Sequence, residues 1–301
     1  MIDGGNDMAD TKYGHLVKTL KYDESNGEYM TMPTGVDLAG LNLSFAWGYR
    51  RQTGMWGGDG GVSHSHPYGE CLLFSGLDYD NPNQLGAEIE ITMGGDGGKH
   101  TIDSPTVVVL PAGYPHCPLT TRKVEKPFGF MAISLSGEHK MKETSSGSIT
   151  GMNSDNLVKK LDLRDTKRTK GGNADFIAGW NGEDFEGFDV NFTWAFHKGT
   201  GAWHENDPHV HHFDEILLFV GTDPESPDSL GAEIEIQMGD GADKEIHVFD
   251  TPTVVIAPKE LVHCPLVTKR VDRPYCFSAI CLSTGHETIW LGGNKKSKWS
   301  R

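Results

Sequence analysis

The chain has 301 residues, and its 27 basic and 42 acidic side chains give a formal charge of −15. That balance argues against nucleic acid or an anionic membrane surface as a general partner, since both attract basic patches. No apolar run reaches the roughly 20 residues that cross a bilayer, and the opening MIDGGNDMADTKYGH lacks the charged and apolar regions of a secretion signal. A cytoplasmic location is expected. The five cysteines are an odd number without a CxxC pair, which fits reduced thiols better than a disulfide framework or a structural zinc site.

In chain order the predicted elements are short strands. HLVKTL (15–20) and GMW (54–56) precede GGVSHSHPYGECLLF (60–74), then LGAEIEITMG (85–94), SPTVVVLPAGYPHCPL (104–119) and FGFMAISL (128–135). The polar stretch 137–155 reads as a linker. The series then repeats as NLVKKL (156–161), GAW (201–203), DPHVHHFDEILLF (207–219), LGAEIEIQMG (230–239), TPTVVIAPKELVHCPL (251–266) and YCFSAICL (275–282). A displacement of 145 to 147 residues between the copies, 141 for the leading HLVKTL and NLVKKL, matches a domain that buries its own core and is too long for a solenoid repeat. Two modules are expected, residues 1–150 and 151–301. Alternating apolar runs bounded by Gly, Pro, Asn and Asp, with 38 glycines and 15 prolines overall, make the chain all-β with few helices.

Each copy carries His-x-His-x-x-x-Glu and a later histidine. Alternate side chains of a strand share a face, so His64 and His66 point one way, as do His209 and His211. Glu70 and Glu215 stand an even number of residues further on and return to that face if the segment stays extended. His116 and His263 lie in a later strand and close each site from across a barrel. Three imidazoles and a carboxylate suit a first-row divalent metal: Fe, Mn, Ni, Cu and Zn all accept such a set. Any one of these histidines alone reads equally well as a satisfied core or surface imidazole, and it is the eight residues in register that favour ligands.

Gly58-x5-His64-x-His66-x3-Glu70, followed by Pro111-x-Gly113-x2-His116, resembles the two motifs of the cupin superfamily, and the doubled pattern resembles a bicupin. The resemblance implies two tandem double-stranded β-helix (jelly-roll) barrels. It also implies metal ligands His64, His66, Glu70 and His116 in the first and His209, His211, Glu215 and His263 in the second. Up to two divalent ions per chain are implied, with Fe2+ or Mn2+ favoured. The second copy departs from the motif: Glu260 replaces the turn glycine, and Asn206-Asp207-Pro208 stand where its first glycine would. A side chain at Glu260 disfavours positive φ, so the first barrel is expected to carry the chemistry, with Glu70 as its catalytic carboxylate.

Other residues carry weaker expectations. Glu88, Glu90, Glu233 and Glu235 read as solvated strand faces. Cys117 and Cys264 follow ligand histidines and should face away from the metal, and His212 should point outward. His197 and His204 are candidate proton carriers at the second mouth. Trp47, Tyr49, Trp56, Tyr68 and Tyr114, with Trp194, Phe196, Trp203 and Phe213, read first as packing and second as pocket lining. Arg50 and Arg51 are candidates for a substrate carboxylate. Acidic loops 78–84 and 223–229 have turn composition. The resemblance favours a dioxygenase acting on a small oxygenated molecule. The alternatives are a redox-neutral lyase, decarboxylase or isomerase, and a non-catalytic sensing or storage bicupin. The expected partner is a small-molecule substrate, with room for self-association into a homo-oligomer.

Overall fold

The structure is a computed structural model that describes residues 11–26, 28–95, 97–143, 153–166, 174–183, 185, 188–203, 207–291 and 296–298. Alternation in the sequence becomes alternation in burial. In Ala87–Met93 the side chains of Ile89, Ile91 and Met93 are fully buried, and Glu90 faces out to Lys99 and Arg122. The unbroken apolar runs 106–110 and 253–257 are buried along their whole length.

The described strands form four sheets, two in each barrel. One sheet of the N-terminal barrel has the order 158–160, 106–110, 70–76, 128–134, 44–50, 28–31, 23–25, and the other has the order 142–143, 64–65, 116–124, 87–93, 98–102. The C-terminal barrel repeats this plan from 17–19 and 253–257 through 164–165, and from 245–249 through 296–298. Register fixes two ends in each barrel. Glu70 lies opposite Leu110 and Ser134, with Ser134 opposite Ser44. Six residues along, Gly76 and Arg50 lie opposite Phe128 at the other end. Trp56, Leu72, Phe74, Phe128 and Phe130 fill the interior between.

A division at residue 150 is not the one the compact units follow. One unit comprises Tyr22–Leu163 with Phe185–Phe188, and the other Met1–Lys21, Arg164–Asp184 and Asp189–Arg301. The repeated HLVKTL and NLVKKL segments explain the difference. Val17–Thr19 adds to the edge strand Thr253–Ala257, and Val158–Lys160 adds to Thr106–Leu110. Each leading strand thus completes the sheet of the other copy. In the C-terminal unit the docking buries Leu16, Val17 and Leu20, and both oxygens of Glu245 accept the backbone N–H groups of Lys12 and Tyr13.

The segment read as a linker is also partly structural. Lys142–Glu143 pairs with His64–Ser65, and Ser154–Leu157 forms a 3-10 turn leading into Val158; residues 144–152 lie outside the described set.

Removing residues 1–21 uncovers the 253–257 edge and deletes three buried aliphatic side chains, each contributing about 1.5–3 kcal/mol. The truncated chain is expected to melt well below the full chain and to aggregate on size-exclusion chromatography. An unchanged Tm with a monodisperse peak would sink this account of the docking.

Candidate metal centres

In the N-terminal barrel the imidazoles are oriented by main-chain carbonyls. His64 Nδ1 donates to Val62 O at 2.9 Å, His66 Nδ1 to Lys140 O at 2.8 Å and His116 Nδ1 to Tyr114 O at 3.0 Å. A carbonyl only accepts, so each Nδ1 carries the hydrogen and each neutral ring presents a bare Nε2 lone pair. Those lone pairs converge. His64 Nε2 and His66 Nε2 are 3.1 Å apart, and Glu70 Oε2 is 3.5 Å from Nε2 of both His66 and His116.

The second barrel repeats this construction. His209, His211 and His263 donate from Nδ1 to Asp207 O, Glu287 O and Leu261 O at 2.8, 2.7 and 3.0 Å. Glu215 Oε2 is 3.5 Å from His211 Nε2 and 3.2 Å from His263 Nε2. All eight side chains are buried.

Two bare imidazole nitrogens at 3.1 Å cannot hydrogen-bond to each other and, without a cation, repel. Donor edges of 3.1–3.5 Å are those of ligands about 2.0–2.3 Å from a common centre. The donor set therefore fits a divalent transition metal, and the chain offers two such places.

Burial is the largest influence on His64, His66, Glu70, His209, His211 and Glu215. It lowers His64 to about 4, helped by His116, and His209 to about 3, helped by His263. Burial alone would raise Glu70, but His116, His66 and Ser134 outweigh it and hold the carboxyl below its usual range. Glu215 is held well below by His211 and His263 against the same burial. The matched histidines part company: burial prevails at His66, which is lowered, whereas Glu215 overcomes it at His211, which is raised.

Several residues fall elsewhere than the sequence suggests. Cys117 does not face away: its sulfur lies within 4.8 Å of ring nitrogens of His64 and His116. Its φ of 67° and the register shift between His116 and Leu119 break the alternation. Glu260 takes φ 65°, close to the 78° of Gly113. Its N–H bonds His211 O at 2.8 Å, as that of Gly113 bonds His66 O, and its carboxylate accepts from His212 Nδ1 at 2.6 Å. The turn is therefore the same in both copies, at the ~1–2 kcal/mol that a left-handed non-glycine residue costs. The glycine argument for favouring the first barrel lapses.

Arg50 stands at the barrel end away from Glu70, paired with Glu28 and stacked 3.8 Å from the Trp56 ring centroid. Arg51 lies beside it, over Tyr29. Neither reaches the metal ligands. His197 occupies the corresponding far end of its barrel, opposite Tyr275 and stacked on Trp203; His204 lies outside the described residues. His212 is exposed, as parity requires. Loops 78–84 and 223–229 follow the far ends of strands 70–76 and 215–221, and Asp78 serves its own turn through Asn81 at 2.9 Å. Of the aromatics, Trp47, Tyr49, Trp194 and Phe196 are core. Tyr68 and Phe213 stack on His66 and His211 at 5.1 and 4.8 Å.

Several contributors escaped the sequence reading, His139, Asp59 and His286 among them. Ser134 Oγ donates to Glu70 Oε1 at 2.8 Å, and its counterpart Cys281 donates to Glu215 Oε1 at 3.4 Å. A polar residue ending the inward set Phe128, Phe130, Ala132, Ser134 was the available signal. The carbonyls of Lys140 and Glu287 had none, since a backbone acceptor leaves no trace in side-chain pattern.

No family model matches the chain, and no curated protein matches its sequence. Solved structures do. Bacillus subtilis oxalate decarboxylase, studied for its Mn(II) centres, matches with a TM-score of 0.61 and 11% identity over 92% of this chain and 79% of that one. The fold is that of a bicupin. An oxalate decarboxylase structure addressing substrate binding mode gives the same TM-score, identity and coverage, as does one addressing an element that modulates proton-coupled electron transfer in oxalate decarboxylase. At this identity what is shared is the architecture. Among the described residues no helix is long and apolar enough to cross a membrane.

His66→Ala is expected to remove most of the metal held by the N-terminal barrel, lowering metal content by about one ion per chain in elemental analysis. Unchanged content would overturn the assignment. Acid supplies a second check on the metal-free chain. Unfolded histidine titrates near ~6.5, so between about pH 6.5 and 4 the lowered His64, His66 and His209, which outnumber the raised His211, bind fewer protons folded than unfolded, and stability falls as pH falls. The Tm of chelator-treated protein should drop between pH 7 and 5, and a flat profile would contradict the buried neutral imidazoles.

Proposed function

We propose that the chain is a metal-dependent bicupin enzyme acting on a small organic acid, of the decarboxylase or related lyase class. The observation that carries this reading is the convergence of three bare imidazole nitrogens and one carboxylate oxygen in each barrel. The fold shared with a manganese decarboxylase supports it. His64, His66, Glu70 and His116 would hold one cation and His209, His211, Glu215 and His263 the other, with Mn2+ or Fe2+ favoured by the hard carboxylate and imidazole donors. A divalent cation there supplies Lewis acidity and an anchor for an anionic carboxylate.

The chain's own groups do the rest. Ser134 holds Glu70 Oε1 and so leaves Oε2 to face the imidazoles. The filled interior beneath the centre excludes water from that side and limits the substrate to a small molecule. Decarboxylation leaves a carbanion that must gain a proton, and His139 is the side chain placed to deliver one. Its ring lies 5.3 Å from that of His66, and its Nε2 is 2.7 Å from Asp59 Oδ2, a carboxylate that orients the imidazole. Both are about half exposed, as a group exchanging protons with solvent requires. This dyad, with Tyr68 where the second copy has Phe213, now favours the N-terminal barrel as the catalytic one. The dioxygenase reading gains nothing from the neighbours, which are decarboxylases.

Protein loaded with Mn2+ or Fe2+ should release CO2 from a member of a panel of small mono- and dicarboxylic acids without stoichiometric O2 uptake. Oxygen consumption without CO2 would replace the proposal with the dioxygenase. Glu70→Gln should lower kcat by at least about 100-fold, and Glu215→Gln should chiefly lower Tm. Loss of turnover confined to Glu215→Gln would move the chemistry to the C-terminal barrel.

A further inference from the structure

The carboxylate of Glu215 has two oxygens with different surroundings. Oε2 faces His211 and His263. Oε1 faces Cys281, whose sulfur is 3.4 Å away. The same sulfur is 3.5 Å from His286 Nδ1, and one donor atom from each of the three residues lies within 4.8 Å of the others. The other ring nitrogen, His286 Nε2, is 3.3 Å from Thr288 Oγ1. If Nε2 carries the hydrogen to that hydroxyl, the Nδ1 lone pair points at the thiol.

We propose that Glu215, Cys281 and His286 form a further metal site in the C-terminal barrel, taking a thiophilic divalent cation of the zinc class, with Glu215 bridging it to the four-donor centre. The geometry is that of a tetrahedral edge. With metal–sulfur bonds near 2.3 Å and metal–nitrogen or metal–oxygen bonds near 2.0–2.1 Å, sulfur stands roughly 3.6 Å from its neighbours, against the observed 3.4 and 3.5 Å. Three protein ligands leave the fourth position to water. Cys281 is fully buried and His286 only partly, so an ion enters past the imidazole. Binding forms the metal–sulfur bond as the thiol proton leaves to solvent.

The N-terminal barrel supplies the contrast. Ser134 replaces the thiol and gives Glu70 Oε1 a full hydrogen bond at 2.8 Å. His139, matching His286, directs its Nε2 to Asp59 instead. A thiol at 3.4 Å is a weak substitute for that hydroxyl as a donor, and a second lone pair aimed at it is what a cation would use.

The site shares Glu215 with the centre described above and stands whatever reaction the chain performs, so a failed decarboxylation assay leaves its readout untouched. Full-length protein stripped of metal is titrated with Cd2+ and followed by the ultraviolet sulfur-to-cadmium charge-transfer absorption and by equilibrium binding. Cys281→Ser, which installs the residue the first barrel carries at the matched position, should keep the wild-type melt. It should lose the Cys281 band and one bound Cd2+ per chain. His286→Ala keeps the thiol and should weaken that Cd2+ by at least about tenfold. No band in the wild type would overturn the proposal. So would a band that survives undiminished in Cys281→Ser, which would assign the sulfur to Cys117 beside His64 and His116. Unchanged affinity in His286→Ala would overturn it as well.

Discussion

Six hydrogen bonds from imidazole Nδ1 to main-chain carbonyls set everything else at these centres. In each barrel two of them are local. His64 and His116, like His209 and His263, bond the carbonyl two residues earlier, so a correctly bent strand orients them unaided. The third is not local. His66 and His211 depend on Lys140 and Glu287, about 75 residues later; Lys140 stands just before the strand 142–143 that pairs beside His64, and Glu287 begins the strand 287–290 that pairs beside His209. Each bond contributes only about 1 kcal/mol net, but its direction decides which nitrogen is bare. The sheet must close before the last lone pair is aimed, so site and fold are one construction.

Much of this was legible because duplication turns weak signals into strong ones. Strand parity placed His64 with His66 and Glu70, and register brought His116 across to them. The reading failed where the backbone departs from ideal extension. At Cys117 a positive φ ends the alternation on which the parity argument rested. At Glu260 the expected steric objection was real but is offset by the hydrogen bonds that hold the turn. Arg50 was misplaced because its face was readable and its end of the strand was not: only the pairing register tells which end of a barrel a residue occupies. The exchange of leading strands was invisible for a related reason. HLVKTL and NLVKKL carry the pattern of an edge strand but nothing that names the edge.

The two copies share their ligands and differ in what lies behind them. Ser134 and Cys281 support the carboxylates with unequal donors. Tyr68 also accepts the Lys140 N–H at 3.0 Å, a contact that Phe213 cannot make. His139 faces a carboxylate, while His286 faces a thiol and a hydroxyl. These substitutions leave the cradle intact and alter its polarity. The N-terminal mouth is built from groups that exchange protons, and the C-terminal one from softer, drier groups.

Charge completes the argument for an anionic substrate. With 42 acidic and 27 basic side chains the chain as a whole repels organic acids. That field is screened beyond about 8–10 Å at physiological ionic strength, so within the mouth the local sum governs. There a cation meets one carboxylate, held below its usual range, and three imidazoles, which ligate a metal only in the neutral form. A divalent cation added to that set leaves one net positive charge in a poorly hydrated pocket, where Coulomb attraction is several times its value in water. The buried carboxylate is therefore both a ligand and a limit. It holds the cation while cancelling half its charge, and the one positive charge that remains matches a single carboxylate of a small acid.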